Sequence, residues 1–237
     1  MRKITLILLI FSSYTSFACS CSQLRLTNTL SGIEFVGIIK FTSLKKIEKF
    51  EGIYKAEYKV KEQFIGNENA ELFIESQEGS SCGFLPEFNS EYFIFAYQNE
   101  LGFLATSFCL ARNIPNKEIL SILREITQKR IYQQTTRNIR QLTKEKLNSN
   151  LFEQNINGAF IYEAILDSNF KVKRMKPFNL NARKNFNEKI KQELNNKFEY
   201  KRMNEDLKMK EKNFKIFIIL NWNKNYEGKL VVEPTKV

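Results

Sequence analysis

The sequence predicts two units in series: a small all-β barrel, then a small α+β domain of strand–strand–helix–strand order. Three observations predict it. Five short segments rich in β-branched and aromatic residues follow one another within about 75 residues, as a small closed barrel requires. A helical pattern then separates these from a second group of strands. The charge balance also changes between the two parts. Residues 19–113 hold 9 basic and 12 acidic side chains, whereas residues 114–237 hold 26 basic and 14 acidic. Such asymmetry is expected of two units with different surfaces.

The first strand candidate is Phe35-Val36-Gly37-Ile38-Ile39-Lys40-Phe41. Residues 54–60 alternate strictly, which puts Tyr54, Ala56, Tyr58 and Val60 on a buried face and the charges opposite. Gly66-Asn67 turns the chain, and Leu72-Phe73-Ile74 makes a third strand. Residues 79–83 form a loop. Residues 92–97 are apolar throughout, as in a central strand, and residues 103–107 return after a turn at 99–102. Pro115-Asn116 opens a helix in which Ile119, Ile122, Leu123 and Ile126 form one buried face. Residues 127–156 read as a solvated helical connector, with Ile139 and Leu142 isolated among polar side chains. A basic amphipathic helix touching a membrane surface is an alternative there. In residues 157–237, a strand covers 160–166. Asp167-Ser168-Asn169 turns it, and Phe170 and Val172 alternate with Lys171 and Lys173. Asn181 is expected to cap a helix carrying Phe186, Ile190 and Leu194. Residues 205–213 are a charged loop, and 214–222 are a buried strand.

The first 18 residues read as a secretory signal peptide. Arg2 and Lys3 precede an apolar run at 5–11, and Ser16-Phe17-Ala18 supplies small residues flanking Phe17. Cleavage after Ala18 starts the mature chain at Cys19, with Cys21, Cys82 and Cys109 following. A lipid anchor on the Cys19 sulfur is the competing reading. Against it, Phe17 is bulky for its position and an odd number of cysteines would remain. The expected location is secreted or periplasmic, with no transmembrane segment after processing. The chain carries a net +11 yet has no histidine, which removes the usual general base and metal ligand. Cysteines in this spacing suit disulfides better than zinc. No enzyme activity, intrinsic metal or cofactor is therefore expected. Export argues against nucleic acid as the partner of the basic half.

Several of these residues carry a family likeness. Cys19-Ser20-Cys21 at the mature start, Phe35-Val36-Gly37, residues 58–64 with Gly66, Cys82-Gly83, the strand at 92–97 and Thr106-Ser107-Phe108-Cys109 resemble the netrin-like domain of tissue inhibitors of metalloproteinases, in its bacterial form. The resemblance spans 19 to about 126. It implies a five-stranded OB-type barrel with a packed helix, and the pairings Cys19–Cys82 and Cys21–Cys109. It also implies that the Cys19 amine and carbonyl chelate a protease's zinc while Ser20 enters the specificity pocket. The third disulfide of the animal inhibitors has no counterpart here. The stretches 158–172 and 214–222 resemble, more distantly, the C-terminal domain of TonB-type energy transducers. The leading expectation is an exported, non-enzymatic binding protein, in its sharper form a metalloprotease inhibitor. The alternative is a cell-envelope structural or interaction protein whose C-terminal sheet binds a partner, with purely structural cysteines.

Overall fold

The computed structural model describes residues 21, 25–30, 32–131, 139–153, 158–202, 213–224 and 230–235. The signal segment, Cys19 and Ser20 lie outside the described residues, as does most of the charged loop expected at 205–213.

After a short helix α1 (Leu26–Leu30), the chain forms β1 (Phe35–Lys46), β2 (Ile53–Ile65), β3 (Leu72–Glu75), β4 (Glu91–Gln98) and β5 (Leu104–Ser107). These bond in the order β1-β2-β3-β5-β4, and β4 returns to β1, so the sheet closes. Only the β3–β5 pairing within this ring is parallel. The expected five-stranded OB-type barrel is therefore what the chain forms, with a two-residue strand β6 (Ala111–Arg112) added beside β4. Strand β4 reads as apolar throughout because both its faces are covered. Ile94 and Ala96 face the barrel interior with Phe35, Ile39, Phe41, Leu72 and Ile74. Phe93 and Phe95 face outward into a second apolar cluster with Val36, Ile38 and Phe64.

Helix α2 (Lys117–Gln128) covers that outward face. Asn116 caps it, accepting from the Ile119 amide at 3.0 Å, which satisfies one of the orphan donors at its start. Ile119, Ile122, Leu123 and Ile126 are buried as their spacing predicts. Their cluster also contains Ala159, Ile161, Phe217 and Ile219 from the C-terminal part. One apolar core thus joins the barrel, α2 and the second sheet.

That second sheet holds β8 (Phe160–Leu166), β9 (Val172–Pro177), β11 (Phe214–Lys224) and β12 (Leu230–Pro234), in the antiparallel order β12-β11-β8-β9. Its central strands are buried on both faces. Phe160, Tyr162, Ala164, Ile216, Ile218 and Leu220 face a separate core. Ile161, Phe217 and Ile219 face α2. Glu163 stands among these apolar residues because Lys176 (3.1 Å) and Lys215 (3.3 Å) neutralise it.

The structure corrects three local expectations. First, residues 139–143 are not helical: Ile139–Thr143 is strand β7, paired antiparallel with β10 (Phe198–Arg202). Alternation explains it, since Ile139 and Gln141 are buried and Arg140 between them is exposed. Second, Asn181 is not the cap. Asn179 caps a short α3 (Leu180–Lys184), and Asn187 caps α4 (Glu188–Lys197), which carries Ile190 and Leu194. Asn179 is selected because its carboxamide also donates to Ala159 O (2.7 Å) and accepts from Ile161 N (3.1 Å), tying α3 to β8. Third, β10 and β12 extend the expected strand–strand–helix–strand order.

The segment after Cys21 stitches the two parts together. The Leu26 amide donates to Thr235 O at 2.8 Å. The Asn28 side chain accepts from Gln141 N (2.8 Å) and donates to Gln141 O (2.9 Å), filling the open edge of β7 as a strand would. Arg25 adds a bond to Gln141 O at 3.0 Å, and burial lowers its pKa, followed by Arg140 nearby.

Candidate functional site

The cysteines converge on one end of the barrel. Cys109 sits in the turn after β5, where the Leu110 amide returns to Ser107 O (2.9 Å) and Arg112 Nε holds Cys109 O (2.7 Å). Cys21 is disulfide-bonded to it across 88 residues of sequence. Cys82 is disulfide-bonded as well; Cys19, its partner in the pairing implied by resemblance, lies outside the described residues. Cys82 is carried by a tight turn. Ser80 Oγ accepts from the Cys82 amide (3.1 Å), and Gly83 N bonds to Ser80 O (3.0 Å).

Between these turns lies a cleft of about 380 Å³, lined by Cys82, Cys109, Phe108, Glu75, Tyr97 and Glu51 among others. Its floor follows from strand register. Ile53 pairs with Glu75 across β2–β3, and Glu75 pairs with Ser107 across β3–β5, so three side chains form one row. Alternation puts this row on the same outer face as Phe73 and Ala105, which with Ile53 form a small satellite cluster outside the barrel core. The β1–β2 loop closes one side. Gly52 there has φ +69, and a Cβ on it would lie 2.2 Å from Ser76 O. Only glycine permits both this conformation and the bond from Ser76 N to Gly52 O at 2.8 Å.

Glu75 is the best-held polar group of the cleft. Tyr97 donates its hydroxyl to Glu75 Oε2, and Asn99 Nδ2 donates to Oε1 at 2.7 Å. Asn99 is itself fixed, because its Oδ1 accepts from Leu101 N (3.1 Å) and Phe103 N (2.8 Å). Burial, then the Glu75 carboxylate, pushes the Tyr97 pKa far above the ordinary tyrosine value, so Tyr97 remains a donor. A second cleft of about 460 Å³ shares Glu75 and Tyr97 and is completed by residues 98–101.

Phe108, on the cleft wall, is 36% exposed, and Leu85 and Phe88, in the connection between β3 and β4, are each more than half exposed. Phe84 packs beneath, with its ring 6.4 Å from Phe108 and 5.9 Å from Tyr92. An exposed aromatic side chain on the wall of a polar cleft suits a recognition surface. Among the described residues, no group of three or more His, Cys, Asp or Glu side chains is placed to hold a metal ion. No helix among them is long and apolar enough to cross a membrane.

Of the residues singled out in the sequence, the structure brings together Cys21, Cys109 and Cys82. Cys19 and Ser20 fall outside the described part. Glu75, Tyr97 and Asn99 were not expected. Their only local signal is that Glu75 continues the alternation of Phe73, which places it outward. The chain matches no known family model and no curated protein.

Proposed function

We propose that the chain is an exported, non-enzymatic binding protein whose disulfide-bonded barrel end is its recognition edge. The observation that carries this reading is the Cys21–Cys109 bond, which fastens the chain two residues after Cys19 to the end of the barrel that bears the cleft and the exposed Phe108. Disulfides persist in oxidising compartments, which favours a secreted or periplasmic setting. In the sharper form of the reading, the mature amine and carbonyl of Cys19 chelate the catalytic zinc of a metalloprotease and Ser20 enters its specificity pocket. Catalytic zinc keeps an open coordination position. A terminus already fixed two residues downstream loses less entropy on binding than a free one.

The test is inhibition of a panel of zinc metalloproteases by protein that begins at Cys19. Potency is expected to vanish when one alanine precedes Cys19, with thermal stability unchanged, because the added peptide turns a basic amine into an amide. Equal inhibition by the extended protein would sink the chelation mechanism.

One observation favours the alternative role in the cell envelope. Among the described strands β9 pairs only with β8, so none of them covers its other edge, and it carries the exposed Lys173 and Arg174, with Lys176 paired to Glu163. A basic edge discourages indiscriminate pairing and suits an acidic partner strand. Crosslinking from β9 in the envelope distinguishes this from the barrel-end reading.

A further inference from the structure

We propose that the cleft above Glu75 is a pocket for a basic side chain, a lysine ammonium or an arginine guanidinium, presented by a partner protein. The inference takes the barrel end as a partner-binding edge but needs no zinc chelation.

Charge bookkeeping carries it first. Several carboxylates on the same barrel have basic partners: Glu62 has Arg124 at 2.7 Å, Glu71 has Lys55 at 2.5 Å and Glu78 has Lys46 at 2.8 Å. Glu75 has none among the described residues, although the chain as a whole carries +11. Both its oxygens are instead held by neutral donors, Tyr97 and Asn99, which orient the carboxylate without neutralising it. Among the described residues no lysine or arginine lines the cleft, and Glu51 supplies a second carboxylate at its wall. A half-buried, pre-oriented and unneutralised carboxylate favours a cation over any neutral guest.

Shape carries it second. At about 380 Å³ the cleft is at the small end for ligand sites, which run from about 300 to 1,000 Å³. Ile53 and Phe108 offer apolar wall on the way to Glu75, and the aliphatic stem of a basic side chain packs on such surface while its head reaches the acid. The exposed Phe108, packed on Phe84, adds apolar surface at the cleft wall that a protein partner would cover. A glycan would also use aromatic rim and carboxylate, but it would not require the missing counter-ion.

The test is an NMR titration of ¹⁵N-labelled protein with N-acetyl-arginine amide. N-acetyl-citrulline amide serves as the neutral isostere and a chito-oligosaccharide as the glycan probe. The arginine probe is expected to move amides at 51–53, 75–77, 97–99 and 107–109, and the citrulline probe to leave them in place. Glu75→Gln should weaken arginine binding about tenfold or more, since a charge-assisted hydrogen bond is lost. The variant should remain folded, with resonances away from the cleft unmoved, and lose only the stability of one bond, since a carboxamide cannot accept from both Tyr97 and Asn99 at these positions. An alanine before Cys19 should change nothing here, which separates this pocket from the chelation mechanism. Equal response to citrulline, undiminished binding by Glu75→Gln, a response to the glycan alone, or no response at all would each overturn the proposal.

Discussion

Replacing Phe93 by alanine tests whether the barrel and the C-terminal sheet unfold as one body. Phe93 is on β4, 1% exposed, and points away from the barrel interior toward α2. Its ring meets Phe95 at 4.9 Å and Phe64 at 6.1 Å, both edge to face. Deleting such a ring costs about 3–5 kcal/mol. For a chain of this size each kcal/mol lowers the melting temperature by about 2–4 °C, so a fall of about 6–20 °C is expected. The informative probe is Trp222, the single tryptophan, which lies on β11 at the far side of the C-terminal sheet. Because Phe93, Ile122, Ile126, Phe217 and Ile219 share one cluster, damage on the barrel side of α2 must be felt at β11. Trp222 fluorescence and barrel hydrogen exchange should therefore lose stability together. Phe93→Leu should give the same coupling at smaller amplitude if the alanine variant is too damaged to purify. Phe88→Ala, at an exposed position, should change stability by no more than about 0.5 kcal/mol. Two separate transitions, with the Trp222 midpoint unmoved by Phe93→Ala, would refute the single-core reasoning.

Three further outcomes follow from particular contacts. Asn179→Ala removes the cap of α3 and its bond to the Ile161 amide, and leaves the Ala159 carbonyl only the longer 3.4 Å bond from Asn181, so a loss of about 1–3 kcal/mol is expected in urea unfolding. Gly52→Ala forces a side chain into positive φ against Ser76 O. It should cost at least about 1–3 kcal/mol and shift amide resonances around the cleft, and an unperturbed spectrum would contradict the geometry. The hydroxyl of Tyr162 is buried without a hydrogen-bond partner among the described residues, so Tyr162→Phe should be neutral or raise stability by about 1 kcal/mol. Burial, as the leading cause, raises the pKa values of Tyr97, Tyr162 and Tyr200 above their ordinary value of 10.0. A raised folded-state pKa means that this stability is fully present below 10.0 and is lost as pH climbs beyond it. Denaturant midpoints should accordingly fall on the alkaline side of 10.0. Midpoints that stay level there would show that these hydroxyls are hydrated.

The legible parts of the fold are those where one local pattern has one reading. Strand β2 alternates because one face meets the barrel interior and the other meets water, and the sequence shows that alternation directly. Asn116 marks the start of α2 because Pro115 precedes it and a buried face follows. The apolar runs of β4, β8 and β11 are recognisable as strands, but not the two different cores they divide, since burial on both faces erases periodicity. Strand β7 is illegible because its buried centre is a glutamine, Gln141, whose backbone satisfies Asn28 more than a hundred residues earlier. Strand β10 follows α4 with no breaker between Lys197 and Phe198, so no turn residue announces it. At the candidate site, the disulfide to Cys109 came from resemblance. The meeting of Glu75 with Tyr97 depends on the parallel pairing of β3 with β5, which leaves no trace in local sequence.

The Cys21–Cys109 disulfide invites a last prediction, because the segment it fastens is also held elsewhere. Closing a loop across 88 residues is worth about 4–5 kcal/mol in the chain-entropy account. Replacing both cysteines by serine should lower the melting temperature by roughly 8–20 °C on that basis. Yet Leu26 donates to Thr235, and Asn28 bonds Gln141 twice, only a few residues beyond Cys21. Those bonds anchor α1 to the C-terminal part independently of the barrel. In Cys21→Ser/Cys109→Ser, the Leu26 amide should therefore keep its protection from hydrogen exchange while amides at the cleft, near residue 109, lose theirs. If Leu26 became as exchangeable as an open chain, the disulfide would be what holds α1 in place. If it stays protected, the bond has a narrower role: it fixes Cys21 itself against the barrel end that the proposed recognition edge occupies.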